Sequence, residues 1–185
     1  MTLGDRFPTV LAAARAGGEW AWEALYREMA PRVLGYLRAR GAPEPEDLLG
    51  EVFLQAVRDL GSFSGDERSF CAWLFAIAHR RSVDELRRRS RRPQAPADDD
   101  VLVRRGPRGD AEAEALERVE ARRALDAIHD LSPDQRDVLL LRLVADLTLE
   151  DVARILGKRL TAVKALQRRG LAALARKTSR EGVSR

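Results

Sequence analysis

One cysteine, two histidines and an aromatic share of 5% are what this 185-residue chain has least of. A single thiol, Cys71, closes no disulfide within the chain and builds no cysteine-based zinc site. It sits in the apolar run Phe70-Cys-Ala-Trp-Leu-Phe75, which suits a small core residue. His79 and His129 stand apart, no Gly-rich phosphate loop occurs, and the carboxylates fall at helix starts or in runs. No catalytic residue, metal or cofactor is therefore expected, and an enzyme is the least favoured class. No signal peptide is expected, and no apolar run in the sequence approaches the roughly 20 residues that cross a bilayer. The chain is expected to be cytoplasmic, with no membrane insertion. Gly and Pro are sparse and cluster outside the periodic stretches, which argues against an all-β fold.

What is abundant is aliphatic and ionic. Hydrophobic residues make up 45% of the chain and charged residues 34%, so leucine, alanine and valine must form the core beneath a densely charged surface. Net charge is only +4, yet the charge is unevenly placed. Seven arginines lie between His79 and Arg92, against Asp84 and Glu85. From Thr148 to Arg185 ten basic residues face Glu150, Asp151 and Glu181. Acids gather at Glu44–Glu51, Asp98–Asp100 and Asp110–Glu120. Two basic surfaces on a nearly balanced chain suit two contacts with a polyanion; solvated helix faces would have the same composition.

The apolar periods predict an all-α chain of two small helical domains joined by a flexible linker. Leu25, Tyr26, Met29, Val33, Leu34 and Leu37 mark a helix over Trp22–Leu37, ended by Gly41-Ala-Pro43. A second starts near Glu44–Asp47 and buries Leu48, Leu49, Val52, Phe53, Ala56, Val57 and Leu60. A polar loop carrying Phe63 follows, then a long helix from about Arg68 to Arg89. Residues 91–111 hold three prolines and two glycines with no sustained period, as a linker would. Residues 1–90 and 112–180 are the expected domains. In the second, a helix runs from Glu112 to Asp130. Ser132-Pro-Asp-Gln135 then carries the signature of a capping box, opening a helix with Val138, Leu139, Leu141 and Leu143.

Thr148 to Lys177 is the most specific stretch. Two helices meet at Gly157, which can turn through positive φ, while Ala153 permits close approach and Val163 and Leu166 can pack on Val152, Ile155 and Leu156. Thr161 can cap the second helix, which offers Lys164, Arg168, Arg169, Arg176 and Lys177 with no acid between Thr161 and Lys177. This spacing resembles a helix-turn-helix, whose second helix enters the major groove. A helical hairpin with a solvated basic face is the plainer reading.

Three further runs gain meaning from their order ahead of that element: Asp47-Leu-Leu-Gly-Glu-Val-Phe53, Phe63-Ser-Gly-Asp66, and Trp73-Leu-Phe-Ala-Ile-Ala78 with its trailing arginines. From about Glu19 to Lys177 the chain resembles an extracytoplasmic-function sigma factor of bacterial RNA polymerase. The first run is similar to sigma region 2.2, the next two to regions 2.3 and 2.4, and Leu131–Lys177 to region 4. The resemblance implies that the helix bearing Asp47, Leu48, Glu51, Phe53 and Leu54 binds the clamp of the core polymerase. It implies that Phe63, Ser64, Gly65 and Asp66 capture an unstacked base of the −10 element, with Trp73, Arg80, Arg81, Arg87 and Arg88 on that DNA. It gives the −35 element to Arg159, Thr161, Lys164, Ala165, Arg168 and Arg169. It also implies an anti-sigma factor as partner, and a path for the anionic linker through the polymerase cleft, where Asp98–Asp100 are open to two uses, mimicking nascent RNA or serving as a solvated tether.

Two positions depart from that pattern. Gly50 stands where the family often has Gln, and Arg80 where it often has Asn near the base pocket. A close helix neighbour would explain Gly50; Arg80 suits phosphate as well as base. Phe63 is open to two uses, stacking on a base or plugging the bundle core. The rival functions are a helix-turn-helix repressor acting alone, which would bind duplex tightly and usually as a symmetric dimer, and an adaptor with no DNA role.

Overall fold

The computed structural model describes residues 3–91 and 126–182, and every regular element among them is helical. After a 3-10 turn at Gly4–Arg6, α1 spans Phe7–Arg15. It was not expected, although Phe7, Val10, Leu11 and Ala14 are its buried stripe at i, i+3, i+4 and i+7. α2 spans Glu19–Ala39, α3 Pro45–Asp59 and α4 Glu67–Arg91. Each starts on a local signal. Pro8 and Pro45 sit in first turns, where the missing N–H costs nothing, and Glu46 and Asp47 face the positive end of α3. Asp66 caps α4 by accepting from the Ser69 N–H at 2.8 Å.

These four helices close over Leu25, Val33, Tyr36, Leu37, Val52, Ala56, Leu60, Phe70, Leu74 and Phe75, all fully buried. Each of the larger of these side chains contributes about 1.5–3 kcal/mol by leaving water. Two expected core residues are outside it: Tyr26 and Val57 are about half exposed.

The second unit has α5 (Pro133–Leu143), α6 (Leu149–Leu156) and α7 (Leu160–Gly182). The capping box that opens α5 is present, with Ser132 accepting from Gln135 N–H and the Gln135 side chain reaching back to the Ser132 N–H. α5 buries Val138, Leu139, Leu140 and Leu141 in succession, because it is enclosed on more than one side; Leu143, expected inside, is exposed instead. A turn through Asp146, at φ 49°, leads to α6. Aspartate tolerates the left-handed region because its short side chain can bond locally. The expected linker and helix at 91–130 lie outside the described residues, apart from its beginning at Arg91 and its end at Asp126–Asp130.

The two units are docked on one contiguous core instead of keeping separate ones. Val144 lies 3.9 Å from where a Cβ on Gly35 would stand, and the Arg32 guanidinium donates to the Ala145 carbonyl at 2.6 Å. The Cys71 thiol approaches that same carbonyl at 3.7 Å. Across the same seam Arg40, the residue just after α2, pairs with Asp137 of α5, with side chains only 8% and 16% exposed. Arg40 also donates to His79 Nδ1 at 3.2 Å, and the Tyr36 hydroxyl meets that nitrogen at 2.9 Å. A guanidinium can only donate, so Nδ1 must be unprotonated. Burial, and then the Arg40 charge, push His79 down to about 4.

Candidate nucleic-acid and polymerase interface

The α6–α7 element is locked by its turn. Thr148 caps α6, accepting from the Asp151 N–H at 3.0 Å, and Gly157 ends it at φ 61° and ψ 31°. The Lys158 N–H returns to the Ala153 carbonyl at 2.9 Å, and its ammonium pairs with Asp134 of α5 at 2.8 Å. Val152, Val163 and Leu166 fill the angle between the helices. Gly170 lets α7 cross α5, since a Cβ there would stand 2.9 Å from Leu139 Cδ1.

With that side of α7 committed to packing, the other is exposed. At 100° per residue Thr161, Lys164, Ala165, Arg168 and Arg169 fall within an arc of roughly 140°, opposite Val163, Leu166 and Gly170. All but the half-buried Ala165 are solvent-exposed, as is Arg159 just before the helix. The expected −35 set is thus brought onto one face. Thr161 is not the cap, however: α7 already begins at Leu160, and the Val163 N–H bonds the Arg159 carbonyl.

On α4, Trp73, Arg80 and Arg87 recur every seven residues and form one slowly drifting stripe. Arg80 and Arg87 are exposed and Trp73 is half-buried. Arg81 and Arg88 belong to a neighbouring stripe and are already engaged. Arg81 donates to Gln55 at 2.7 Å and pairs with Glu51 at 3.5 Å, tying a residue expected on DNA to one expected on the polymerase. Arg88 pairs with Glu85 at 3.2 Å.

The Phe63 ring is 8% exposed, at 5.5 Å from the Phe70 ring and 5.2 Å from Trp73. Of the two uses open to it, the core plug is the one its packing matches. Ser64, Gly65 and Asp66 stay exposed around it. Gly65, at φ +149°, admits no side chain, because a Cβ would meet Ser69 at 2.7 Å and Phe63 at 3.2 Å. Hydrogen bonds from Ser69 hold the Asp66 carboxyl below its usual range.

The expected polymerase-binding set divides. Leu48 and Phe53 are buried and shape α3 from within, whereas Asp47, Glu51 and Leu54 are exposed. Leu54 and Val57, one turn apart, are 59% and 51% exposed, and Tyr26 lies over Phe53 with ring centroids 4.7 Å apart. This acid-flanked apolar patch was legible only in part, since Tyr26 and Val57 read as core by period. Gly50 has open space about it and not a helix neighbour. No cluster of metal ligands and no helix able to cross a membrane occurs among the described residues.

A three-helix unit with a capped, glycine-turned helix pair and a one-sided basic helix defines a helix-turn-helix protein, here carrying a second helical bundle. Residues 25–92 match the family model for Sigma-70 region 2, and residues 127–176 that for Sigma-70 region 4. The chain is 33% identical over 176 residues to the ECF RNA polymerase sigma factor BldN of Streptomyces coelicolor, covering 92% of this chain and 65% of that one. It is 31% identical over 178 residues to the ECF RNA polymerase sigma factor SigD of Mycobacterium tuberculosis, covering 92% and 84%. Among solved structures the fold is similar to CnrH, determined in complex with the cytosolic domain of CnrY (TM-score 0.69, 22% identity, 95% and 98% covered). It is also similar to the sigma factor RpoE of Bartonella quintana, determined with the anti-sigma factor NepR (TM-score 0.60, 20% identity, 82% and 92% covered). The chain belongs to the extracytoplasmic-function family of RNA polymerase sigma factors.

Proposed function

We propose that the chain is an alternative sigma factor, a regulatory subunit and not a catalyst, that directs bacterial core RNA polymerase to promoters in the cytoplasm. The observation that carries this is the pairing of the one-sided basic face of α7 with a separate bundle bearing an arginine stripe and an apolar patch. Lys164, Arg168 and Arg169 would read the −35 element from the first turns of α7, with Arg159 on phosphate. The Ser64–Asp66 loop with Trp73, Arg80 and Arg87 would meet the −10 element, and Leu54, Val57 and Tyr26, flanked by Asp47 and Glu51, the polymerase clamp. An anti-sigma factor, such as RpoE of Bartonella quintana was solved with, would compete for these surfaces.

Reach supports a tethered two-part arrangement, with residues 1–90 and 112–180 as the parts. The two promoter elements lie about 25 base pairs apart, or roughly 85 Å at about 3.4 Å per pair. A compact chain of 185 residues has a radius of gyration of about 16 Å. The docked units cannot occupy both elements, so they separate on the polymerase, and the polymerase then holds both contacts at a fixed distance. The expected RNA mimicry at Asp98–Asp100 lies outside the described residues. Adding the protein to core polymerase should give transcription from a specific promoter, while the free protein binds duplex weakly and with strong salt dependence. Nanomolar sequence-specific binding by the free chain at physiological salt would favour the repressor instead.

A further inference from the structure

The segment ahead of the region 2 match, which begins at residue 25, grips the exposed loop between α3 and α4 at both ends. At the far end the Glu67 carboxylate accepts from the backbone N–H of Gly4 at 2.9 Å and of Leu3 at 3.4 Å. Between them the Phe7 ring lies 5.7 Å from Phe70, the ring against which Phe63 also packs. At the near end the Arg15 guanidinium, in the last turn of α1, donates to the Phe63 carbonyl. That end of α1 is itself anchored, because the Trp22 indole N–H donates to the Ala14 carbonyl at 3.1 Å.

Besides the Asp66 cap on the Ser69 N–H, few hydrogen bonds hold the loop. The Phe63 N–H bonds the Leu60 carbonyl, and the next backbone bond closes onto α4, from the Phe70 N–H to the Asp66 carbonyl. Ser64, Gly65 and Asp66 between them are exposed. A guanidinium bond on the carbonyl just before these residues therefore fixes the peptide plane from which they depart. Arg15 is solvent-exposed, so its side chain is not part of the buried apolar core.

We propose that Arg15 is a positioning residue for DNA opening, holding Ser64–Asp66 in the conformation that meets the −10 strand. The inference rests on the sigma-factor reading of that loop. Promoter-dependent transcription by the full chain with core polymerase tests it, on a duplex template and on one mismatched open across the −10 element. Arg15→Ala should lower initiation on duplex by about 5- to 30-fold, the range that one or two kcal/mol covers, and most of the loss should vanish on the open template. Arg15→Lys, which keeps a cationic donor, should recover part of it, and Arg15→Gln less. Thermal unfolding and affinity for core polymerase should match wild type for all three. Equal activity of Arg15→Ala on duplex, or an equal deficit on both templates with the fold intact, overturns the proposal. If the wild-type chain directs no promoter-specific initiation at all, the function falls and the proposal with it.

Discussion

Replacing Asp137 with alanine should release the second unit from the bundle. Arg40 would then stand 8% exposed with two neutral neighbours, Tyr36 and a His79 that is uncharged at neutral pH. Removing one partner of a buried ion pair costs about 3–5 kcal/mol, since the other charge is left without compensation. Asp137 keeps some contact with water, which argues for the lower end, about 3 kcal/mol. The cost falls on the docked state alone, because separation returns Arg40 to solvent. At about 1.4 kcal/mol per tenfold, the open fraction should rise roughly 100-fold. Cys71 reports it directly. It is the chain's one cysteine, it is buried at this seam against Ala145, and burial holds its thiol above the usual range. Its modification by a thiol reagent at fixed pH should accelerate about 100-fold in Asp137→Ala, by the same equilibrium. The acceleration should depend only weakly on urea, as a local opening does. If Asp137→Ala labels at the wild-type rate with its helix content intact, the pair does not hold the units together.

Acid should weaken the fold through His79. It is neutral when folded down to about pH 4 and takes up a proton near pH 6.5 when unfolded. Stability is therefore whole above about 6.5 and should fall by roughly 3 kcal/mol on descending to 4; urea titrations should show that slope, and His79→Gln should flatten it. Lys164→Ala and Arg168→Ala should each cost about 1–3 kcal/mol on the −35 sequence they are proposed to read, whereas Arg176→Ala, farther along α7, should weaken all sequences alike; equal losses on every sequence from all three would remove base readout. Gly50→Ala should stabilise the chain by about 0.5–1 kcal/mol in thermal unfolding, because mid-helix glycine is costly and nothing crowds the position; an unchanged melting temperature would mean the helix frays there.

The helices were legible wherever a capping signal met a sustained period. Ser132, Thr148 and Gly157 mark α5 and α6 in sequence and act there in the structure. α1 carries an equally regular stripe, but it is short and Phe7, Val10 and Leu11 are its only large apolar side chains, so its period is faint in the sequence. Periodicity also misjudged Tyr26, Val57 and Leu143, which are exposed: Val57 lies just past the buried arc of α3, whereas Tyr26 and Leu143 fall inside the arc of buried residues on their own helices. What no local pattern could show is the seam. Arg40 and Asp137 are ordinary surface types in sequence, and only tertiary folding brings them together with Tyr36 and His79. The same holds for Arg15, whose acceptor is a backbone carbonyl and leaves no mark on composition.

Phe63 is where resemblance and packing ask for different things, and the energetics favour the packing. Unstacking a base costs a few kcal/mol, and an aromatic stacking partner returns about 1–3 kcal/mol if its face is free. The Phe63 ring lies between Phe70 and Trp73 with 8% of the residue exposed, so its face is spent on the core. A base arriving at this loop meets the exposed backbone of Ser64–Asp66 and the half-buried indole of Trp73. On the proposed reading, capture would then come from hydrogen-bonding groups that are already oriented, helped by phosphate contacts from Arg80 and Arg87, which are exposed on the Trp73 stripe. Oriented groups recover the cost of unstacking only if they do not have to be ordered first. A short loop with one glycine at φ +149° and little internal bonding would otherwise have to be ordered on the DNA. Its rigidity is supplied from outside, by the Phe63 ring beneath it and by the α1 segment at either end.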